Sequence, residues 1–249
     1  MKSEPKILFL DILTDDPKIR KDFHQKIYAG QTYSELTRKA MGLKKSFWTF
    51  ADGAKCAFPE NIREFDGVVI GGSVENPVKG RIKPWMSKNF AFIRKLVKND
   101  TPILGICGGL QFTARALGSE IIFNPKGKEF GSGELKISPA GKKDPIFSGL
   151  PTQFTIHLSH KCIAAGLKKE WKVLGSTGLC APQAIAIGKK IRLLQFHPEM
   201  RAASIKAIAK VRKEKHTMPV KNAWRYGKKI MGNFIKYFVL PYHKQKFRI

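Results

Sequence analysis

Apolar residues along the chain alternate between short unbroken runs and stretches with helical spacing. Ile7 to Ile12 is such a run, interrupted only by Asp11, and reads as a strand buried on both faces. Tyr33 to Met41 has helix-compatible spacing. Ser46 to Phe50 reads as a second strand, closed by the Asp52-Gly53 turn signal. Phe65 to Ile70 is a third, and it runs straight into Gly71-Gly72-Ser73. From Trp85 to Lys98 the pattern is helical, with Phe90, Ile93, Leu96 and Val97 on one face, until Asn99-Asp100-Thr101-Pro102 breaks it. A fourth apolar run then ends at Cys107, and a helix-compatible run, Leu110 to Leu117, follows. Strands alternating with helices predict an α/β fold with a doubly wound, mostly parallel sheet flanked by helices.

The second half is richer in turns. Short strands are expected at Leu135–Ile137, Phe154–His157, Trp171–Leu174, Ala184–Ile187 and Ile191–Gln195. The last two are joined through Gly188-Lys189-Lys190 and read as a hairpin, which predicts a small antiparallel addition to the parallel sheet. No repeat, low-complexity tract or Pro/Gly-rich linker divides the chain, so residues 1–249 read as one domain that includes the region from 201 to 249. No apolar run reaches the roughly 18–20 residues of a membrane span. The polar start, Met1 to Lys6, lacks the order of a signal peptide, and the expectation is a soluble cytoplasmic protein.

Charge alters this picture only at the surface. The net charge is +27, and Arg201 to Ile249 holds fourteen Lys or Arg against one acid, Glu214. Such a region suits nucleic acid, an anionic membrane or an acidic partner, or it is simply a lysine-rich solvated face. The basic residues are dispersed and no nucleic-acid motif accompanies them, so the solvated face is the reading adopted, without nucleic acid or membrane as partner. Four cysteines, at 56, 107, 162 and 180, show no Cys-x-x-Cys spacing, and neither a metal site nor a disulfide framework is expected.

The chemistry gathers at Pro102 to Gln111, Pro-Ile-Leu-Gly-Ile-Cys-Gly-Gly-Leu-Gln. A strand, a sharp turn and a helix meet there with a thiol at the turn, and glycines at 105 and 109 allow the strained backbone that lifts it. A helix N-terminus favours thiolate, so Cys107 is a candidate nucleophile. A base comes from Leu194-Gln195-Phe196-His197-Pro198-Glu199. In extended backbone the side chains of His197 and Glu199 point the same way, so the carboxylate can orient the ring. The N–H groups of Gly72 and Gly108 are the expected oxyanion donors.

At these residues the chain resembles the class I glutamine amidotransferases with a Cys-His-Glu triad, and among them the glutaminase domain of GMP synthases and its stand-alone relatives. Gly105-Ile-Cys-Gly-Gly-Leu-Gln111 and Gln195-Phe-His-Pro-Glu199 carry the resemblance, with weaker matches at Gly71-Gly72, Glu129-Phe130-Gly131, Ser159-His160 and Gly232-Asn233-Phe234. It implies a flavodoxin-like fold and attack by Cys107 on the side-chain amide of glutamine. Gly72 and Gly108 would hold the oxyanion and His197, oriented by Glu199, would serve as acid and base. Gln111, Ser159 and His160 would bind the substrate. The products would be glutamate and ammonia, with no cofactor.

Three departures qualify this. Lys161-Cys162 stands where the family often has Gly-Asp, Ser73 where proline is common, and Gly108 where a larger residue is common, which predicts a roomier pocket. The chain carries no synthetase domain and no Gly-x-x-x-x-Gly-Lys-Ser/Thr loop, so the ammonia goes either to a separate synthetase subunit or to no acceptor. Two further readings stay open: a γ-glutamyl peptidase or hydrolase with the same triad, and a catalytically idle module that binds anionic partners.

Overall fold

Every residue of the first strand, β1 (Ile7–Asp11), is buried, as an apolar run inside a parallel sheet requires. The structure, a computed structural model, describes residues 4–246. Residues 1–3 of the polar start and 247–249 of the basic region lie outside the described residues. After β1 come α1 (Pro17–Asp22), a π-helical turn over Phe23–Ile27, α2 (Tyr33–Ala40), β2 (Trp48–Asp52), β3 (Gly67–Ile70), α3 (Pro84–Lys98), β4 (Ile103–Ile106) and α4 (Gly108–Ala116). The second half adds β5 (Glu120–Phe123), β6 (Glu129–Ile137), α5 (Pro139–Lys142), β7 (Gln153–His160), β8 (Cys162–Ala165), β9 (Lys172–Ser176), β10 (Ala184–Ile187) and β11 (Ile191–Leu194). It closes with α6 (Ala202–Arg212), α7 (Trp224–Phe234), a second π-helical turn over Ile235–Val239 and α8 (Leu240–Lys246).

Nine strands form one sheet in the order β2-β1-β3-β4-β11-β10-β9-β6-β7. The first five are parallel neighbours, in keeping with the alternating strand–helix pattern. From β11 outward the pairing is antiparallel, beginning with the hairpin of β10 and β11 in which Ile187 faces Ile191. A separate two-stranded sheet pairs β5 with β8. Alternate residues of β1 serve opposite faces. Ile7 and Phe9 pack with Tyr33, Ile205 and Phe234, whereas Leu8 and Leu10 pack with Phe90, Ile93, Leu110 and Phe112. Among the described residues, no helix is long and apolar enough to cross a membrane.

Several elements depart from the hydrophobic pattern for physical reasons. α1 buries none of its residues and is held by the Asp16 side chain, which accepts from the N–H groups of Lys18 and Ile19, so apolar spacing cannot reveal it. β6 begins well before the expected Leu135 because Gly131-Ser132-Gly133 carries no apolar alternation. The room a side chain at Gly131 would need is taken by the Met218 carbonyl, 2.2 Å from where its Cβ would stand.

The consequence for function lies at three neighbouring strands. β3, β4 and β11 are parallel, with Ile70 beside Gly105 and Leu194 beside Ile106. Their carboxyl ends therefore open side by side, where ligands bind in open α/β sheets. Gly71-Gly72, Cys107 and His197 all follow directly.

Candidate active site

Cys107 caps α4 with φ 49° and ψ −99°, a conformation that costs a non-glycine residue roughly 1–3 kcal/mol and needs its surroundings to impose it. Close packing does so. A Cβ on Gly109 would lie 2.2 Å from the Ile70 carbonyl oxygen, and one on Gly105 would lie 2.8 Å from the Gly109 carbonyl. The Cys107 N–H donates to the Leu194 carbonyl at 2.7 Å, tying the turn to β11. Gln195 Nε2 donates to Cys107 Sγ at 3.6 Å, so an amide points at the thiol.

His197 enters from the next strand end, its N–H held by the His157 carbonyl at 2.8 Å. Its Nδ1 lies 2.8 Å from Glu199 Oε1, a contact made through a turn at Pro198-Glu199 rather than along extended backbone. Burial acts to lower the His197 pKa, but the charges of Glu199 and Cys107 and hydrogen bonds to both push it up to about 10. At neutral pH the ring is therefore an imidazolium, set between Glu199 and Cys107. His157, next to it, behaves oppositely: burial, helped by the His197 charge, brings it down to about 4, so it stays neutral.

Tyr33, at the start of α2, completes the floor. Its hydroxyl donates to Glu199 Oε1 at 2.9 Å and accepts the N–H of Gly72 at 2.8 Å. A capping box between Thr32 and Glu35 fixes that helix start. Burial, reinforced by the Glu199 charge, holds the phenol well above its usual pKa, so it remains a donor. Nothing near Tyr33 in sequence marks it, since its two partners are 39 and 166 residues away.

Cys107, His197 and Glu199 lie together, with Gly72 and Gly108 beside them. Four of the expected roles meet a different geometry. The N–H of Gly72 is spent on Tyr33 rather than presented to a ligand. Gly108 leaves no roomier pocket, because a Cβ there would lie 2.4 Å from the Ser73 nitrogen: the loop after β3 fills the space. The cavity enclosed between Cys107, His197, Tyr33 and Gly72 is only ≈ 20 Å³. Gln111 lies beneath the site, fully buried, donating to the Cys162 carbonyl at 3.2 Å and to Gln195 Oε1 at 3.4 Å. It steadies the amide that reaches the thiol. His160 borders the outer cavity, yet its ring is engaged inward. Nδ1 lies 3.3 Å from the Cys162 carbonyl and Nε2 lies 3.1 Å from Gln183 Nε2 and 3.2 Å from Glu129. Ser159 does face that cavity, where it accepts from Arg212 Nη1 at 3.4 Å.

Among the described residues, Glu129, His160 and Cys180 form the one trio whose potential ligand atoms lie within 4.8 Å of one another. Thr177 and Gln183 already donate to both Glu129 oxygens, at 2.7 Å each, so hydrogen bonds account for the cluster.

The outer cavity, ≈ 160 Å³, runs from Cys107 past Ser73 and Ser159 to Lys128, Lys161, Arg212 and Glu214. A thiol activated by a buried imidazolium at the end of such a cleft suits acyl transfer through a thioester.

Residues 46–209 match the profile of the family described as glutamine amidotransferase class-I. The chain is 30% identical over 143 residues to a glutamine-hydrolyzing GMP synthase of Clostridium novyi, a stretch that is 57% of this chain and 23% of that protein. It is 30% identical over 142 residues to one subunit of the glutamine-hydrolyzing GMP synthase of Archaeoglobus fulgidus, 57% of this chain and 70% of that one. The chain thus spans about a quarter of the longer relative and most of the shorter. The crystal structure of a glutamine amidotransferase from Thermotoga maritima superposes with a TM-score of 0.69 at 18% identity, covering 94% of this chain and 97% of that one, and shares the fold.

Proposed function

The chain belongs to the class I glutamine amidotransferases, and on that premise we propose that it hydrolyses the side-chain amide of glutamine through a γ-glutamyl thioester on Cys107. The thiolate attacks the amide carbon and the oxygen becomes an oxyanion. Gly108 offers it an N–H that, at the first position of α4, has no acceptor within the helix. His197, already protonated, delivers a proton to the departing ammonia, and as a neutral base it then takes one from the water that opens the thioester. Glu199 keeps the ring in one tautomer and supports its charge. Glutamate and ammonia leave.

The observation that supports this reading is the 2.8 Å contact of His197 Nδ1 with Glu199, which turns the other ring nitrogen toward Cys107. Ammonia release from glutamine by the wild type and its absence in Cys107→Ala would bear it out. A Cys107→Ala variant that keeps the wild-type rate would sink it. Similarity to the archaeal GMP synthase subunit suggests a separate synthetase subunit as ammonia acceptor. Faster glutamine hydrolysis on adding such a subunit would identify it, and an unchanged rate would mark a free-standing hydrolase. One observation favours a second reading, hydrolysis of a γ-glutamyl compound with a larger leaving group: the ≈ 160 Å³ cavity continues outward from Cys107.

A further inference from the structure

The outer cavity holds three cations and one anion, Lys128, Lys161, Arg212 and Glu214. Glu214 is ion-paired with Lys128, so that couple is neutral. Among the described residues neither Arg212 nor Lys161 has a carboxylate within ion-pairing distance. Two uncompensated positive charges therefore face the mouth of the Cys107 site.

Unpaired cations are ordinary on the surface of a chain with 46 Lys or Arg and 19 acids, but Arg212 is held in place. It is half-buried at the end of α6, walls both the small cavity at Cys107 and the outer one, and donates to Ser159 Oγ at 3.4 Å. Its guanidinium also sits 5.7 Å from the centre of the Phe23 ring. A planar fork with a fixed stem and no carboxylate of its own is suited to a carboxylate brought by a ligand. Lys161, at the turn between β7 and β8 and 6.0 Å from the Phe123 ring, adds a second charge on the same side. The cavity offers an ammonium group no free carboxylate.

Free glutamine carries one carboxylate and one ammonium group at its far end and is neutral overall, which leaves this field unmatched. We infer that Arg212, assisted by Lys161, forms an anion subsite, and that the preferred substrate is an acidic γ-glutamyl amide whose leaving amine carries carboxylate groups. The inference rests on the reading of Cys107 as a nucleophile toward γ-glutamyl amides. In the reaction the C–N bond to the leaving amino acid breaks as the C–S bond forms. His197 gives its proton to the departing amine, and water then hydrolyses the thioester to glutamate.

The test is a charge series at constant γ-glutamyl group, in which kcat/KM is measured for γ-glutamyl-glutamate, γ-glutamyl-glycine, glutamine and γ-glutamyl-lysine. Wild type should prefer the glutamate over the lysine compound by about tenfold or more, mostly through KM, since one well-placed ion pair is a discrimination of that order. Arg212→Gln should flatten the series, Arg212→Lys should restore part of it, and added salt should weaken it. An active wild type with a flat or reversed series overturns the subsite, as does Arg212→Gln with its preference intact. Binding of γ-glutamyl-glutamate to the Cys107→Ala protein, by calorimetry, separates the two ideas. Charge-dependent binding lost in Cys107→Ala/Arg212→Gln, with no turnover by wild type, leaves the subsite standing and indicts the nucleophile. Equal binding by both proteins overturns the subsite.

Discussion

The two halves of the sheet give the cleft different things. The parallel half ends in β3, β4 and β11, and its loops deliver Gly72, Cys107, His197 and Glu199 into a floor where hydrogen bonds join Gly72, Tyr33, Glu199 and His197 in one chain. The antiparallel half ends in β7, and with the end of α6 it delivers Ser159, Lys161 and Arg212 to the outer cavity, where among the described residues neither cation has a carboxylate partner. Floor geometry is confined by close packing, since a Cβ added at Gly105, Gly108 or Gly109 would lie 2.8, 2.4 or 2.2 Å from its nearest neighbour, so it tolerates almost no change there. Rim geometry is set by long side chains, so it can change charge without disturbing the fold. On the proposed reading, reaction type and substrate choice would be carried by separate parts of one sheet.

Substitutions can break this division, beginning with the floor. Cys107→Ala should lower glutamine turnover by about a thousandfold or more, and His197→Gln by a similar factor, because members of such a unit act together. A rim substitution with an effect that large on the chemical step, read as kcat, would erase the distinction. Gly109→Ala should cost about 3 kcal/mol or more, since its Cβ would meet the Ile70 carbonyl at 2.2 Å, whereas Lys161→Ala should change stability by no more than about 0.5 kcal/mol. Urea denaturation of the two variants measures both.

The two histidines sharpen the comparison through pH. His157 is held near 4, below its unfolded value, so the unfolded chain binds more protons and stability falls as pH drops from about 6.5 toward 4, by roughly 1–3 kcal/mol. His197 is raised to about 10, so its contribution is fully present below its unfolded value and is lost as pH climbs through 10. Denaturation midpoints across pH should peak near 6.5, and His157→Gln should remove the acid limb alone. The smallest floor effect is expected at Tyr33→Phe, about 1–2 kcal/mol, the cost of leaving the buried Gly72 N–H without its acceptor. No loss in that variant would mean the hydroxyl is not needed to hold the floor together.

Much of the floor was legible in the sequence because strand ends and glycine spacing impose it. Cys107 between Gly105 and Gly109 is a local steric pattern, and His197 two residues before Glu199 is a local pairing, reached here through a turn. The errors fall where direction rather than position decides. Ser159 and His160 are adjacent on β7, so their side chains leave opposite faces, and only Ser159 can face the cavity while His160 turns to Glu129. Tyr33 and Arg212 act across long sequence separations, on elements whose apolar stripes say nothing of a hydroxyl or a guanidinium. The strands β5 and β8 escaped notice because each is only four residues long and β8, Cys-Ile-Ala-Ala, has no polar residue to mark its alternation of buried and half-buried positions.

The fit of Gly108 under the loop after β3 makes two of the departures from the family pattern one steric problem. A Cβ at position 108 would stand 2.4 Å from the nitrogen and 2.6 Å from the Cβ of Ser73, so neither position can be changed without regard to the other. A larger residue at 108 needs the loop to withdraw from the thiol, which would reshape the cleft from behind while leaving every catalytic side chain in the sequence untouched.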